Sequence, residues 1–152
     1  MTYWKIAPGE RAGNWDIQRD SGYIGIGWPQ LGNVLECTKQ EYDRKREEQA
    51  RLLKRKAFDG HRNVWTFIHS IAIGDIIVAN RGIHLIVGIG IVTGDAKYVA
   101  DSNSKYPNRR AVDWKYINNS GLLLPSAQFT QATVTKISNP DWISFSQDLL
   151  KS

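Results

Sequence analysis

The chain has 152 residues, a formal net charge of +5, 41% apolar residues and one cysteine, Cys37. That length suffices for one domain with a substantial core, and a lone cysteine excludes an intramolecular disulfide framework and a cysteine-rich zinc site. The basic balance, with a pI near 9.4, favours a polyanionic partner without identifying it.

Residues 1–152 are expected to form a single domain. Tyr3 to Ile6 reads as a first strand, stopped by Pro8-Gly9. No targeting signal precedes it, which with the free cysteine points to the reducing cytoplasm. Asn14 is placed to cap a short helix through Asp20, and Ser21-Gly22 returns the chain to a strand over Tyr23 to Trp28. Pro29 to Cys37 reads as loop. Thr38 followed by Glu41 is a capping-box pattern that starts a helix predicted to run to about Phe58, where Asp59-Gly60 breaks it. Its bases from Lys39 to Lys56 alternate with Glu41, Asp43, Glu47 and Glu48, as on a solvated face with local ion pairs. Asn63 to Ser70 forms a second helix, with Val64, Phe67 and Ile68 at helical spacing.

The stretch Gly74 to Val92 organises the rest. Two β-branched runs, Asp75 to Asn80 and Leu85 to Val92, flank a turn holding Arg81 and Gly82, the pattern of a β-hairpin. Asp75, Asn80, Arg81 and His84 interrupt this region too closely for a membrane span. Side chains alternate along a strand, so Gly88 and Gly90 leave one face bare, where another backbone or a flat ligand can come close. Gly25 and Gly27 repeat the device in the strand before Pro29. Asp95 to Asn108 is a polar excursion holding Tyr98 and Tyr106; Ala111 to Ile117 resumes as a strand, Asn118 to Ser126 as a loop, and Ala132 to Ile137 as a last strand. Pro140 after Asn139 opens a closing helix. The sum is an α+β chain with a curved, largely antiparallel sheet.

Catalysis by this chain alone is not expected. No phosphate-cradling Gly-x-x-x-x-Gly-Lys-Ser/Thr loop or dinucleotide fingerprint occurs. His61, His69 and His84 lack metal or nucleophile-base spacing, and the adjacent Glu47 and Glu48 point apart on a helix. No cofactor is expected. What remains is six tryptophans in a basic chain. Trp4, Trp28, Trp65 and Trp142 sit within apolar patterns, and core packing is the preferred reading. Trp15 instead follows Arg11-Ala12-Gly13-Asn14 at a loop-to-helix junction, where an indole can line a cavity and stack on a nucleobase, a contact worth about 1–3 kcal/mol per base.

The runs YWKIAPG (3–9), Trp15-Asp16, YIGIGW (23–28), GDIIVAN (74–80), GIGIV (88–92) and RAVDW (110–114), in that order and spacing, resemble an EVE domain of the PUA-like superfamily. The similar form is the N-terminal domain of McrB-type modification-dependent restriction proteins, and the resemblance spans about Tyr3 to Ile117. It implies a PUA-like β-barrel with flanking helices, related to the YTH domains that hold N6-methyladenine in an aromatic cage. Trp15 matches the cage tryptophan that opens the first helix, and the second wall would come from Tyr98 or, as second choice, Tyr106. Trp114 resembles a core-strand tryptophan whose role is structural before it is ligand-contacting. Asn80 and Asp113 either hydrogen-bond the base edge or cap a turn and pair with a neighbouring cation. The phosphates would be met by Arg81 on the hairpin turn, Lys97, Lys105, Arg109 and Arg110 around the excursion, and Arg11 beside Trp15.

The implied function is non-catalytic recognition of methylated DNA, with a flipped base, N6-methyladenine, between Trp15 and Tyr98. The domain would target a modification-dependent restriction system whose nucleotide hydrolase and endonuclease lie in other domains or subunits. The alternatives are a reader of 5-methylcytosine-type DNA and a PUA-like RNA-binding module; a small-molecule or protein-interaction domain with an incidental basic face is a third class.

Overall fold

A computed structural model describes residues 1–53, 61–124 and 128–152. Among these, seven strands and four helices follow the chain as β1 (Tyr3–Ile6), α1 (Trp15–Ser21), β2 (Tyr23–Ile26), α2 (Lys39–Leu52), α3 (His61–His69), β3 (Ile76–Arg81), β4 (Leu85–Val92), β5 (Lys97–Tyr98), β6 (Asn108–Leu123), β7 (Val134–Ile137) and α4 (Pro140–Lys151). The strands make one curled half-barrel sheet in the order β2-β6-β4-β3-β1-β7, with β5 beside the start of β6. All pairings are antiparallel except β1 with β3. The α+β architecture with a curved, mostly antiparallel sheet is therefore as the residue pattern implies. No described helix is long and apolar enough to cross a membrane.

The hairpin β3–β4 turns at Gly82, whose φ of 60° is left-handed. It feeds both sides of the sheet. Ile77 joins Trp4, Ile6, Ile24, Tyr42, Val64 and Phe67 in a core under α2 and α3. Ile76, Val78, Ile86 and Ile89 face the other way, with Tyr3, Phe129 and Ile137, against Trp142, Ile143 and Phe145 of α4. Each fully buried aliphatic of this kind contributes about 1.5–3 kcal/mol relative to exposure. Asp75 ties the entry of β3 to the chain start by accepting from the N–H groups of Thr2 and Ala72 and from the Trp4 indole, at 2.9 to 3.0 Å. Burial pushes this carboxyl up, but the three donors outweigh it and hold the group below its usual range.

Several local expectations shift. The capping box at Thr38 and Glu41 is present, each backbone N–H donating to the other's side chain at 3.1 Å. That helix ends at Leu52, with Leu53 as its C-cap, short of the predicted Phe58; Phe58 itself and the Asp59-Gly60 break lie outside the described residues. Asn14 precedes α1 but makes no side-chain cap; its amide is engaged by Asn103 and Gln18 instead. The largest difference is β6. Asn118-Asn119-Ser120-Gly121 looks like loop, yet Leu122 and Leu123 pair with Ile86 and Leu85 after register shifts, so the ladder of β4 carries the strand through polar residues.

Candidate functional site

The ends of β1, β2 and β3 converge on an open cleft of about 1010 Å³. Its walls are Ala7, Gly9, Glu10 and Arg11 after β1, Ile26, Gly27 and Trp28 after β2, Asn80, Gly82 and Ile83 at the hairpin, Lys105 and Tyr106 of the excursion, and Thr130, Gln131 and Thr133 before β7; Lys5 reaches in from β1. Three cationic side chains, Lys5, Arg11 and Lys105, stand against one carboxylate, Glu10. Two aromatics, Trp28 and Tyr106, share the cleft with the polar Asn80. Such a lining suits a flat, partly apolar ligand attached to negative charge.

The backbone is strained where it borders the cleft. Among the described residues, three non-glycine ones have left-handed φ: Arg11 at 51°, Ala12 at 57° and Trp28 at 60°. Arg11 and Trp28 both line the opening. Such conformations cost on the order of 1–3 kcal/mol each and persist only where the surroundings enforce them. Trp28, two residues beyond the end of β2, caps a 3₁₀ turn that starts at Pro29. Gly9, at φ 85°, admits the Tyr106 hydroxyl to within 2.8 Å of where a Cβ would stand.

Lys5 is 2% exposed, on the face of β1 shared with Tyr3. Its ammonium donates to the Thr130 carbonyl at 3.2 Å and to that of Ala132. Burial lowers its pKa to about 8. Asn80, 4% exposed, donates through Nδ2 to the Gly82 carbonyl at 2.7 Å, which fixes the amide orientation, while Oδ1 is buried with no hydrogen-bond partner.

Of the expected base-pocket residues, Asn80 alone lines the cleft. Trp15 is 1% exposed and enclosed by Ala12, Ala79 and Val87. Its six-membered ring fills the space a side chain at Gly88 would take, its Nε1 donates to Asn119 at 3.0 Å, and Trp114 packs edge-on at 4.8 Å. The bare face of β4 is thus covered by the chain itself, and the expectation that Trp15 forms an open cage wall is corrected. Trp114 is half-buried in that packing, in line with a structural role. Tyr98 lies in β5, half-buried, and does not line the cleft, where the second choice, Tyr106, does. Asp113 is on β6 and pairs with Lys115 at 2.7 Å, outside the cleft.

The proposed phosphate contacts divide in the same way. Arg11 and Lys105 border the cleft; Arg81 and Lys97 do not. Arg109 is 7% exposed and forks onto Asp101 at 2.6 and 2.7 Å, donates to the Tyr106 and Asn103 carbonyls, and covers the Tyr23 ring. The hydrogen bonds from Arg109 hold the Asp101 carboxyl down at about 2. Arg110, 4% exposed, donates to the carbonyls of Phe67, Ile68 and Gly94. It closes the C-terminal end of α3, where a cation is favourable. Both arginines are consumed inside the fold, which corrects their assignment to a nucleic-acid backbone; Arg109 instead pins the excursion that brings Lys105 and Tyr106 to the cleft.

Trp28, Tyr106 and Lys5 are the residues that pattern reading underweighted. Trp28, half-buried, packs against the core under α2 and α3 as its apolar neighbourhood implies, and two residues beyond β2, directly before Pro29, it also lines the cleft. Lys5 is a charge inside a strand that is buried at all four positions, and that irregularity was the available signal. No curated protein matches the chain. A family model described as a domain of unknown function (DUF8426) matches residues 4–138, and the chain belongs to that family.

Proposed function

We propose that the chain is a non-catalytic reader of methylated DNA, of the EVE type its sequence resembles, and that the cleft lined by Trp28 and Tyr106 receives a base swung out of the strand. The observation that carries this reading is the coincidence, in one opening, of two aromatics, a buried polar floor at Lys5 and Asn80, and rim cations at Arg11 and Lys105. Stacking offsets the few kcal/mol, roughly, that extruding a base costs. The cations supply the sequence-independent part of the affinity through the phosphates. Methyl discrimination comes from apolar contact, about 0.8 kcal/mol per buried carbon. N6-methyladenine is the base the reading favours. In this view the domain targets a restriction assembly whose hydrolase and nuclease are other domains or subunits.

Fluorescence anisotropy with one labelled oligonucleotide, carrying adenine or N6-methyladenine at its centre, tests the reading. Tighter binding of the methylated strand is expected. Equal affinity removes the methyl claim, tighter binding of 5-methylcytosine moves it to that base, and preference for matched RNA over DNA turns the reading toward an RNA module.

A further inference from the structure

Asn80 and Lys5 lie on one face of the parallel pair β1–β3, because Lys5 is in register with Val78 and Asn80 follows two residues later on the same side. Both reach the cleft beyond the end of the core formed by Tyr3, Ile76, Val78 and Ile86. Asn80 is oriented by its bond to Gly82, and its Oδ1 is a buried acceptor with no donor. Lys5 has three N–H groups, of which two go to the carbonyls of Thr130 and Ala132. One acceptor and one donor are therefore left on two residues that both line the cleft.

We infer that this pair selects bases whose exocyclic amino group keeps at least one hydrogen, with Asn80 Oδ1 accepting that hydrogen and the remaining Lys5 N–H donating to the acceptor next to it on the base. The inference rests on the proposal that a base enters the cleft, and it adds the edge by which the base is recognised. Adenine and cytosine offer an amino donor beside a ring-nitrogen acceptor. Thymine and uracil turn a keto oxygen toward Asn80 Oδ1, which leaves two acceptors facing and the buried one unmatched. Sites that require a polar contact reject analogues lacking it far more strongly than apolar pockets reject a missing methyl. A single N-methyl group is compatible, because the amine keeps one hydrogen. A second N-methyl group removes it.

The test uses the wild-type protein and one single-stranded DNA sequence carrying adenine, N6-methyladenine, N6,N6-dimethyladenine, thymine or an abasic residue at its centre. If apolar contact alone governed the cleft, the dimethyl base would bind about fourfold tighter than the monomethyl base. The expected result is the reverse, a loss of about ten- to a hundredfold, with thymine also weak. Dimethyladenine binding as tightly as the monomethyl base, or tighter, overturns the inference and leaves the base-binding proposal standing. Equal binding of the abasic strand and all others overturns both. Asn80→Leu should erase the monomethyl-over-dimethyl preference; a merely structural role for Asn80 would weaken all strands alike and keep that ratio.

Discussion

The indole of Trp15 occupies the place of the side chain that Gly88 lacks: a Cβ on Gly88 would stand 2.7 Å from Cζ2 of that ring. The glycine is there for the tryptophan, and the tryptophan shields the backbone of β4 from solvent. Gly88→Ala should overpack this recess and destabilise the protein by about 1–3 kcal/mol, and Trp15→Ala, which empties it, by about 3–5 kcal/mol. Urea unfolding measures both. A change near zero for Gly88→Ala would mean that the ring is not fixed against the strand.

Arg110 and Arg11 should separate cleanly in salt titrations. Arg11→Ala and Lys105→Ala each reduce the slope of log affinity against log salt by about 1, the signature of a lost phosphate contact. Arg110→Ala leaves that slope unchanged, and by orphaning two carbonyls at the end of α3 and that of Gly94 lowers stability by about 2–4 kcal/mol. Unfolding midpoints and anisotropy at several ionic strengths give the two readouts.

Lys5 makes stability depend on alkaline pH. Burial lowers its folded pKa to about 8, whereas the unfolded chain keeps a value of about 10.4. Between those two values the unfolded state binds more protons, so stability rises with pH through that window and is flat in this contribution below it. Lys5→Met removes the effect. The difference in unfolding free energy between wild type and Lys5→Met, followed from pH 7 to pH 10, should shift in favour of wild type by about 2 kcal/mol. The comparison cancels groups common to both proteins.

The hairpin β3–β4 was legible in the sequence because β-branched runs around Arg81-Gly82 leave few alternatives. The capping box was legible because Thr38 and Glu41 act locally. Trp15 was misjudged for a physical reason: the same alternating glycines that admit a ligand also admit an indole from the chain's own first helix, and only the tertiary arrangement decides between them. Arg109 and Arg110 were misjudged likewise, since a guanidinium satisfied by carbonyls or a carboxylate looks, in sequence, like one facing phosphate. The cleft itself is assembled from five separated segments, from Lys5 to Thr133, and no local pattern announces it.

The central claim is that ligand enters beside Trp28 and not beside Trp15. Methylated-oligonucleotide binding by Trp28→Ala and by Trp15→Phe, which keeps a ring in the Gly88 recess, tests it directly. Trp28→Ala should weaken binding by about ten- to a hundredfold, one lost stacking contact, with Trp15→Phe near wild type. Unchanged binding by Trp28→Ala together with lost binding by a folded Trp15→Phe would contradict the account.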